Sequence, residues 1–160
     1  MRAVAKRFMA LLVSLIFVGV LTMAAESESA DIPLPTLPDG AGSTDASAPS
    51  SFTKTATGLE YRVLRAGSGE KPTAADTVEV HYHGWFDDGS KFDSSYDSKQ
   101  TATFALNGVI AGWTEGLQLV AQGGMIELQI PGALAYGPGG RPGIPPNATL
   151  HFLVELLDIK

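Results

Sequence analysis

Four stretches in the C-terminal two thirds of the chain alternate apolar and polar residues, and only one run between them has a helical period. "LEYRVL" (59–64), "TVEVHYH" (77–83), "MIELQI" (125–130) and "TLHFLVELLDI" (149–159) have the period of two that belongs to strands with one buried face. In the second, Val78, Val80 and Tyr82 share one face, and Thr77, Glu79, His81 and His83 share the other. In the last two, Ile126, Leu128 and Ile130 line up, as do Leu150, Phe152, Val154 and Leu156. Asp88-Gly89 is a hairpin-turn signal after the second stretch. The single helical run is "AGWTEGLQLVAQGG" (111–124), in which Trp113, Leu117 and Val120 recur at helical spacing and Gly123-Gly124 is a stop. Several antiparallel strands and one short helix predict an α+β domain, with the sheet curled over the helix to bury both apolar faces.

This pattern begins near Phe52 and runs to Lys160, about 109 residues, enough for one modest core. What precedes it reads differently. Arg2, Lys6 and Arg7 are followed by an apolar run from Phe8 to Ala25, with Thr22 and Ala24 placed as small residues at a cleavage site. That layout predicts a secretory signal over residues 1–24, or a membrane anchor if it is not cut. In either case the domain is expected to be exported, to the periplasm or the exterior, and to touch a membrane only if this segment is retained. Residues 25–51, rich in Ser, Ala and Pro and without apolar periodicity, predict a disordered tether that is partly extended at "IPLPTLP". Loss of residues 1–24 removes three of the eleven basic residues and none of the seventeen acidic ones. Eight against seventeen leaves a formal charge of −9. Such a surface argues against nucleic-acid binding, which neutralises phosphates. With no Cys there is no disulfide and no thiol chemistry.

The residues offer little to covalent or metal chemistry. His81 and His83 project to one side of a strand, but a third ligand would have to come from His151 on the last strand, and two exposed strand imidazoles are more simply an outer face. No "G-x-S-x-G" occurs, and Ser94-Ser95 sit where hydroxyls commonly bond the backbone. "YGPGGRPG" (136–143) lacks the Lys-Ser/Thr ending of a phosphate loop. An aromatic surplus remains: Tyr82, Trp85, Phe86, Phe92, Tyr96, Phe104, Trp113, Tyr136 and Phe152. Any one of these is first a core residue. Tyr82 and Tyr136, however, carry hydroxyls that need partners, and Asp93 directly follows Phe92 and is costly to bury alone. An apolar hollow with a few placed hydroxyls and one carboxylate has the make-up of a binding site. The long loop from Tyr136 to Asn147 is of a size that is often functional.

"VHYHGWFDDGSKFDSS", "GVIAGWTEGLQLV" and "LAYGPGGRPGIPPNATLHFLVELLDI", in that order, resemble an FKBP-type peptidyl-prolyl cis-trans isomerase of the bacterial exported type, from about Thr57 to Lys160. The resemblance implies a five- to six-stranded antiparallel sheet curled around one short helix. It also implies a rotamase that uses no cofactor and no metal. As substrate-binding residues it implies Tyr82, Phe92, Asp93, Val109, Ile110, Trp113 at the floor, Tyr136, Ile144 and Phe152, with Tyr82, Asp93 and Tyr136 in catalytic roles. Tyr82 is expected to hydrogen-bond Asp93, and the Tyr136 hydroxyl and the Ile110 N–H to hold the flanking peptide. Implied partners are proline-containing, unfolded or partly folded polypeptides, and macrolide inhibitors. Two positions depart from the family pattern. Ala102 stands where many relatives have an aromatic, and Arg141 where well-known relatives have a His, so macrolide affinity and the preference before proline stay open. The alternatives are a catalytically weak binding module of the same fold and a holding chaperone. No helical pattern precedes the domain to pair two copies, so a monomer is expected. Replacing Phe92 or Trp113 by Ala is expected to lower turnover while the domain stays folded.

Overall fold

The computed structural model describes residues 31–160, so the signal-like segment 1–24 and residues 25–30 lie outside the described residues. The strands are β1 (Thr53–Lys54), β2 (Glu60–Arg65), β3 (Thr77–Trp85), β4 (Lys91–Ser94), β5 (Ala102–Ala105), β6 (Met125–Ile130) and β7 (Leu150–Ile159). The helices are α1 (Ser95–Ser98) and α2 (Ala111–Leu117). The sheet is antiparallel, in the order β1-β2-β6-β7-β3-β4, and β5 adds to β3. Seven strands exceed the five or six expected because the edge is completed by pieces of two to four residues, too short to show a period. The faces divide as the alternation predicts. Val78, Val80, Ile126, Leu128, Ile130, Leu150, Val154 and Leu156 are fully buried under α2 together with Leu117.

The helix is half the length that the pattern 111–124 predicts. After Leu117 the chain turns away so that the Gly123 N–H donates to the Leu156 carbonyl and the Leu156 N–H to Gly124. Pairing with β7 thus takes the residues that further helical turns would have used. Gly112 and Gly116 weaken the helix intrinsically but let it press onto β6. A Cβ on Gly112 would meet Ile130 at 2.4 Å, and one on Gly116 would meet Leu128 at 2.7 Å.

The tether expected through residue 51 is, from residue 31 onward, a strap laid on the outer face of the sheet. The reason is Arg62, which is 2% exposed and projects outward from β2. Its Nε donates to Glu127 at 2.7 Å. Its Nη1 donates to the carbonyls of Ile32 and Ser50, and its Nη2 to that of Pro33. A buried guanidinium needs acceptors for its donors, and the strap supplies three of them. Ile32 N–H to Ser50 closes the strap into a loop, and Asp45 N–H to Leu64 fixes its far side. Leu37 and Ala48 then cover Leu64, Met125 and Leu153, all fully buried. This burial on both faces explains why β6 is closed to solvent along nearly its whole length.

A second polar knot sits beside the first. Glu155 accepts from Arg65, from the Tyr96 hydroxyl and from the Gly42 N–H. Burial pushes the Glu155 carboxyl up, but the hydrogen bonds from Arg65, Tyr96 and Gly42 outweigh it and hold the group below its ordinary value of 4.5. A carboxylate with a depressed folded-state pKa contributes stability above its unfolded value and loses it as pH falls through the folded one. The melting temperature is therefore expected to fall on acidification below about pH 4.5, and Glu155→Gln to flatten that slope in melts taken across a pH series.

Candidate functional site

On the helix-covered face a cluster of rings runs from buried Trp113 and Phe152 to half-buried Tyr82, Phe92 and Phe104. Trp113, from the first turn of α2, is 4% exposed and forms the floor. Three rings meet it edge-on: Phe152 at 5.2 Å, Tyr82 at 5.4 Å and Phe104 at 5.5 Å between centroids. Phe92 stands against Phe152 at 5.3 Å, and Phe86 against Phe92 at 4.9 Å. These are the edge-to-face and tilted contacts that aromatic quadrupoles favour. Among the described residues the buried indole Nε1 of Trp113 has no hydrogen-bond partner.

Phe92 and Asp93 are neighbours on a strand, yet both serve this cluster. Gly84 pairs with Asp93 and Trp85 with Lys91, which leaves Phe92 as an extra residue in a β-bulge. A bulge bends its strand and re-aims side chains. Phe92 can turn inward only because β3 carries Gly84 opposite. A Cβ there would lie 2.6 Å from the Phe92 ring and 2.9 Å from Phe152. A glycine inside a strand is the sequence signal for such a close approach, so "HGW" held this information alongside the aromatic residues.

The Asp93 side chain is exposed rather than buried, and its Oδ2 accepts the Tyr82 hydroxyl at 2.7 Å. Burial, and then this bond to Asp93, pushes the Tyr82 phenol well above its ordinary range. Tyr82 therefore remains a protonated donor. Val109 and Ile110 lead into α2 and pack half-buried on the same cluster. The turn that carries them is pinned by the Thr114 hydroxyl, which donates to the Leu106 carbonyl at 2.6 Å. Ile144, 8% exposed, and Tyr136 belong to the cluster from the long loop. Eight of the nine sequence-derived residues pack in the main apolar core, and Asp93 adjoins it through the bond from Tyr82; Phe86 and Phe104 pack there as well. Ala102, packed on the same core, presents only a methyl group at the β5 wall.

The histidines are on the other side of the sheet. His81 stacks on Tyr96 at 4.7 Å and bonds Ser95, and His151 bonds Asp87. His83 lies beside Trp85, and burial lowers its pKa. Among the described residues no group of three or more His, Asp or Glu is placed to hold a metal ion. Two hollows of about 340 and 410 Å³ adjoin the strap on this outer face. They lie apart from the ring cluster.

An antiparallel sheet packed on one main short helix, with a cluster of aromatic rings between them, is the architecture on which the site is built. Family comparison makes this specific: residues 68–157 match the FKBP-type peptidyl-prolyl cis-trans isomerase family, and the chain belongs to that family. It is 57% identical over 104 residues to the FKBP-type peptidyl-prolyl cis-trans isomerase FkpA of Escherichia coli K12, covering 65% of this chain and 38% of that protein. It is 48% identical over 106 residues to the peptidyl-prolyl cis-trans isomerase Mip of Coxiella burnetii, covering 66% and 46%. The crystal structure of Escherichia coli FkpA superposes with a TM-score of 0.67 at 54% identity, covering 68% of this chain and 51% of that one. A peptidyl-prolyl isomerase structure from Pseudomonas syringae superposes with a TM-score of 0.64 at 38% identity, covering 68% and 80%. The chain spans less than half the length of the FkpA and Mip proteins it matches.

Proposed function

We propose that this chain is a peptidyl-prolyl cis-trans isomerase acting on proline-containing, unfolded or partly folded polypeptides outside the cytoplasm. The observation that carries the reading is the cluster of rings on Trp113 made by Tyr82, Phe92 and Phe152, with Tyr82 tied to Asp93; we infer that a hollow lined by these rings takes the prolyl group. An X-Pro bond rotates against a barrier of about 18–20 kcal/mol because its C–N bond has partial double-bond character. Rotation breaks that conjugation, so the half-turned amide is less polar and has a more ketone-like carbonyl. A site accelerates rotation if it binds this form better than the planar one. The ring-lined hollow takes the prolyl ring and removes water that stabilises the planar amide. Asp93, oriented by Tyr82, stands as a carboxylate beside the turning carbonyl carbon. Tyr136 and the Ile110 N–H hold the peptide on either side. Each group binds or orients, and none exchanges a bond.

The test is direct. The chain should raise the exchange rate of a Leu-Pro peptide, measured by exchange NMR, in proportion to its concentration. Cis/trans exchange left at its spontaneous rate of tens to hundreds of seconds would refute the reading and favour the non-catalytic binding module. Export rests on residues 1–24. Among the described residues no helix is long and apolar enough to cross a membrane. We propose a monomer, which sedimentation velocity tests. Macrolides are proposed ligands of the same hollow.

A further inference from the structure

The long loop from Tyr136 to Asn147, packed on the ring cluster through Tyr136 and Ile144, is built to hold one cation. Arg141 and Ile144 bracket a two-residue turn, with the Arg141 N–H donating to Ile144 at 3.0 Å and the Ile144 N–H to Arg141 at 2.8 Å. Pro142 presets the first turn position and Gly143, at φ +83°, supplies the second, the pairing of a type II turn. Gly140 sits at φ +58°, where a Cβ would strike the Ile144 carbonyl oxygen at 2.5 Å, so no other residue fits before Arg141. Ile144 anchors the turn in the core at 8% exposure. From this rigid base the exposed Arg141 side chain lies over the Tyr136 ring, 5.0 Å from its centroid, and Nη1 donates to the Tyr136 hydroxyl at 2.9 Å.

Tyr136 accepts that bond, which leaves its own proton free to donate to a peptide carbonyl. The guanidinium therefore sits one hydrogen bond beyond the peptide backbone, with N–H donors to spare from its five. Among the described residues, Arg141 is the one cation in the ring cluster and the loop from Tyr136 to Asn147. Among the described residues no carboxylate forms an ion pair with Arg141; Asp93 accepts from Tyr82, and Asp87 bonds His151. We propose that Arg141 is a specificity-determining residue that selects prolyl peptides carrying an acidic side chain next to the proline. The proposal rests on the isomerase reading and names its substrate class. The net negative charge of the domain does not oppose it, because charges farther off than about 8 Å are screened at physiological salt whereas a contacting pair is not.

The experiment uses the full chain and three peptides, Ala-X-Pro-Phe with X as Glu, Leu or Lys, with rates read by exchange NMR so that no coupling protease imposes its own preference. The native chain is expected to favour Glu over Lys by about three- to tenfold in kcat/KM, the range for an exposed ion pair gained in one case and a repulsion met in the other. Arg141→Ala should bring the Glu-to-Lys ratio toward one, Arg141→Glu should invert it, and Arg141→Lys should retain part of it. Salt at about 1 M, where the screening length is near 3 Å, should shrink the native ratio. An Arg141→Ala ratio equal to the native one overturns the proposal. So does an equal loss on all three peptides, which would make Arg141 only a support for Tyr136. Acceleration of none of the three by the native chain overturns the isomerase reading, and this proposal with it.

Discussion

A Phe92→Ala protein is expected to stay folded and to lose roughly ten- to a hundredfold in kcat/KM for prolyl isomerisation. The factor follows from the contact removed: full burial of a phenyl side chain is worth about 1.5–3 kcal/mol, and each 1.4 kcal/mol is a factor of ten. Phe92 is only half-buried in the free protein. Its ring contacts are with half-buried Phe86 and buried Phe152, and because Phe92 is itself only half-buried the fold is expected to lose less than the ~3–5 kcal/mol typical of a core Phe→Ala change. Exchange NMR gives the rate, and a thermal melt with near-ultraviolet circular dichroism shows that the domain persists. Full activity in a folded Phe92→Ala protein would remove the hollow as the site. Trp113→Ala cannot serve the same purpose, contrary to the expectation from sequence. At 4% exposure, with three rings edge-on against it, Trp113 is a core residue as well as the floor. Its loss is expected to cost about 3–5 kcal/mol of a total stability of about 5–15.

The largest loss of stability is expected at Arg62, far from the chemistry. Arg62→Met would leave Glu127 buried without its cation and strip the carbonyls of Ile32, Pro33 and Ser50 of their donors. Breaking one partner of a buried pair typically costs about 3–5 kcal/mol, or more than about 10 °C in melting temperature for a domain of this size. The companion change Glu127→Leu in the same chain should recover a substantial part, because no uncompensated charge remains. A melt of the single variant within about 2 °C of the native chain, a difference well under 1 kcal/mol, would show that the pair and the strap contribute little. The two losses also separate cleanly. Arg62→Met should lower stability with kcat/KM on the remaining folded protein nearly intact, since the pair is on the opposite face of the sheet from the hollow.

Much of this was legible in the sequence, for reasons that can be named. The alternation of Val78, Val80 and Tyr82 set the inner face, because the strand period is fixed by backbone geometry and survives any tertiary context. The quoted motifs named the rings that pack on Trp113 and the Tyr82–Asp93 hydrogen bond. Three features were not legible, and each depends on a partner distant along the chain. The bulge at Phe92 exists through the register of Gly84 with Asp93. The helix stops at Leu117 because Gly123 and Gly124 pair with Leu156. The Pro- and Ser-rich segment is ordered from residue 31 because a guanidinium on β2 takes its carbonyls. Composition describes what a segment can bury by itself. It does not register what another segment requires of it.

The strap has a practical corollary for anyone cutting this chain down to a minimal unit. The family match runs over residues 68–157 and begins downstream of the strap, β1 and β2, although individual relatives align over 104 to 106 residues. A fragment trimmed to that limit would uncover the β6 edge to which β2 pairs. One begun at residue 52 would keep β2 but leave the Arg62 donors facing empty space. The shortest piece that retains the acceptors of Arg62 starts close to Ile32, so the autonomous unit is longer than the portion shared with its relatives.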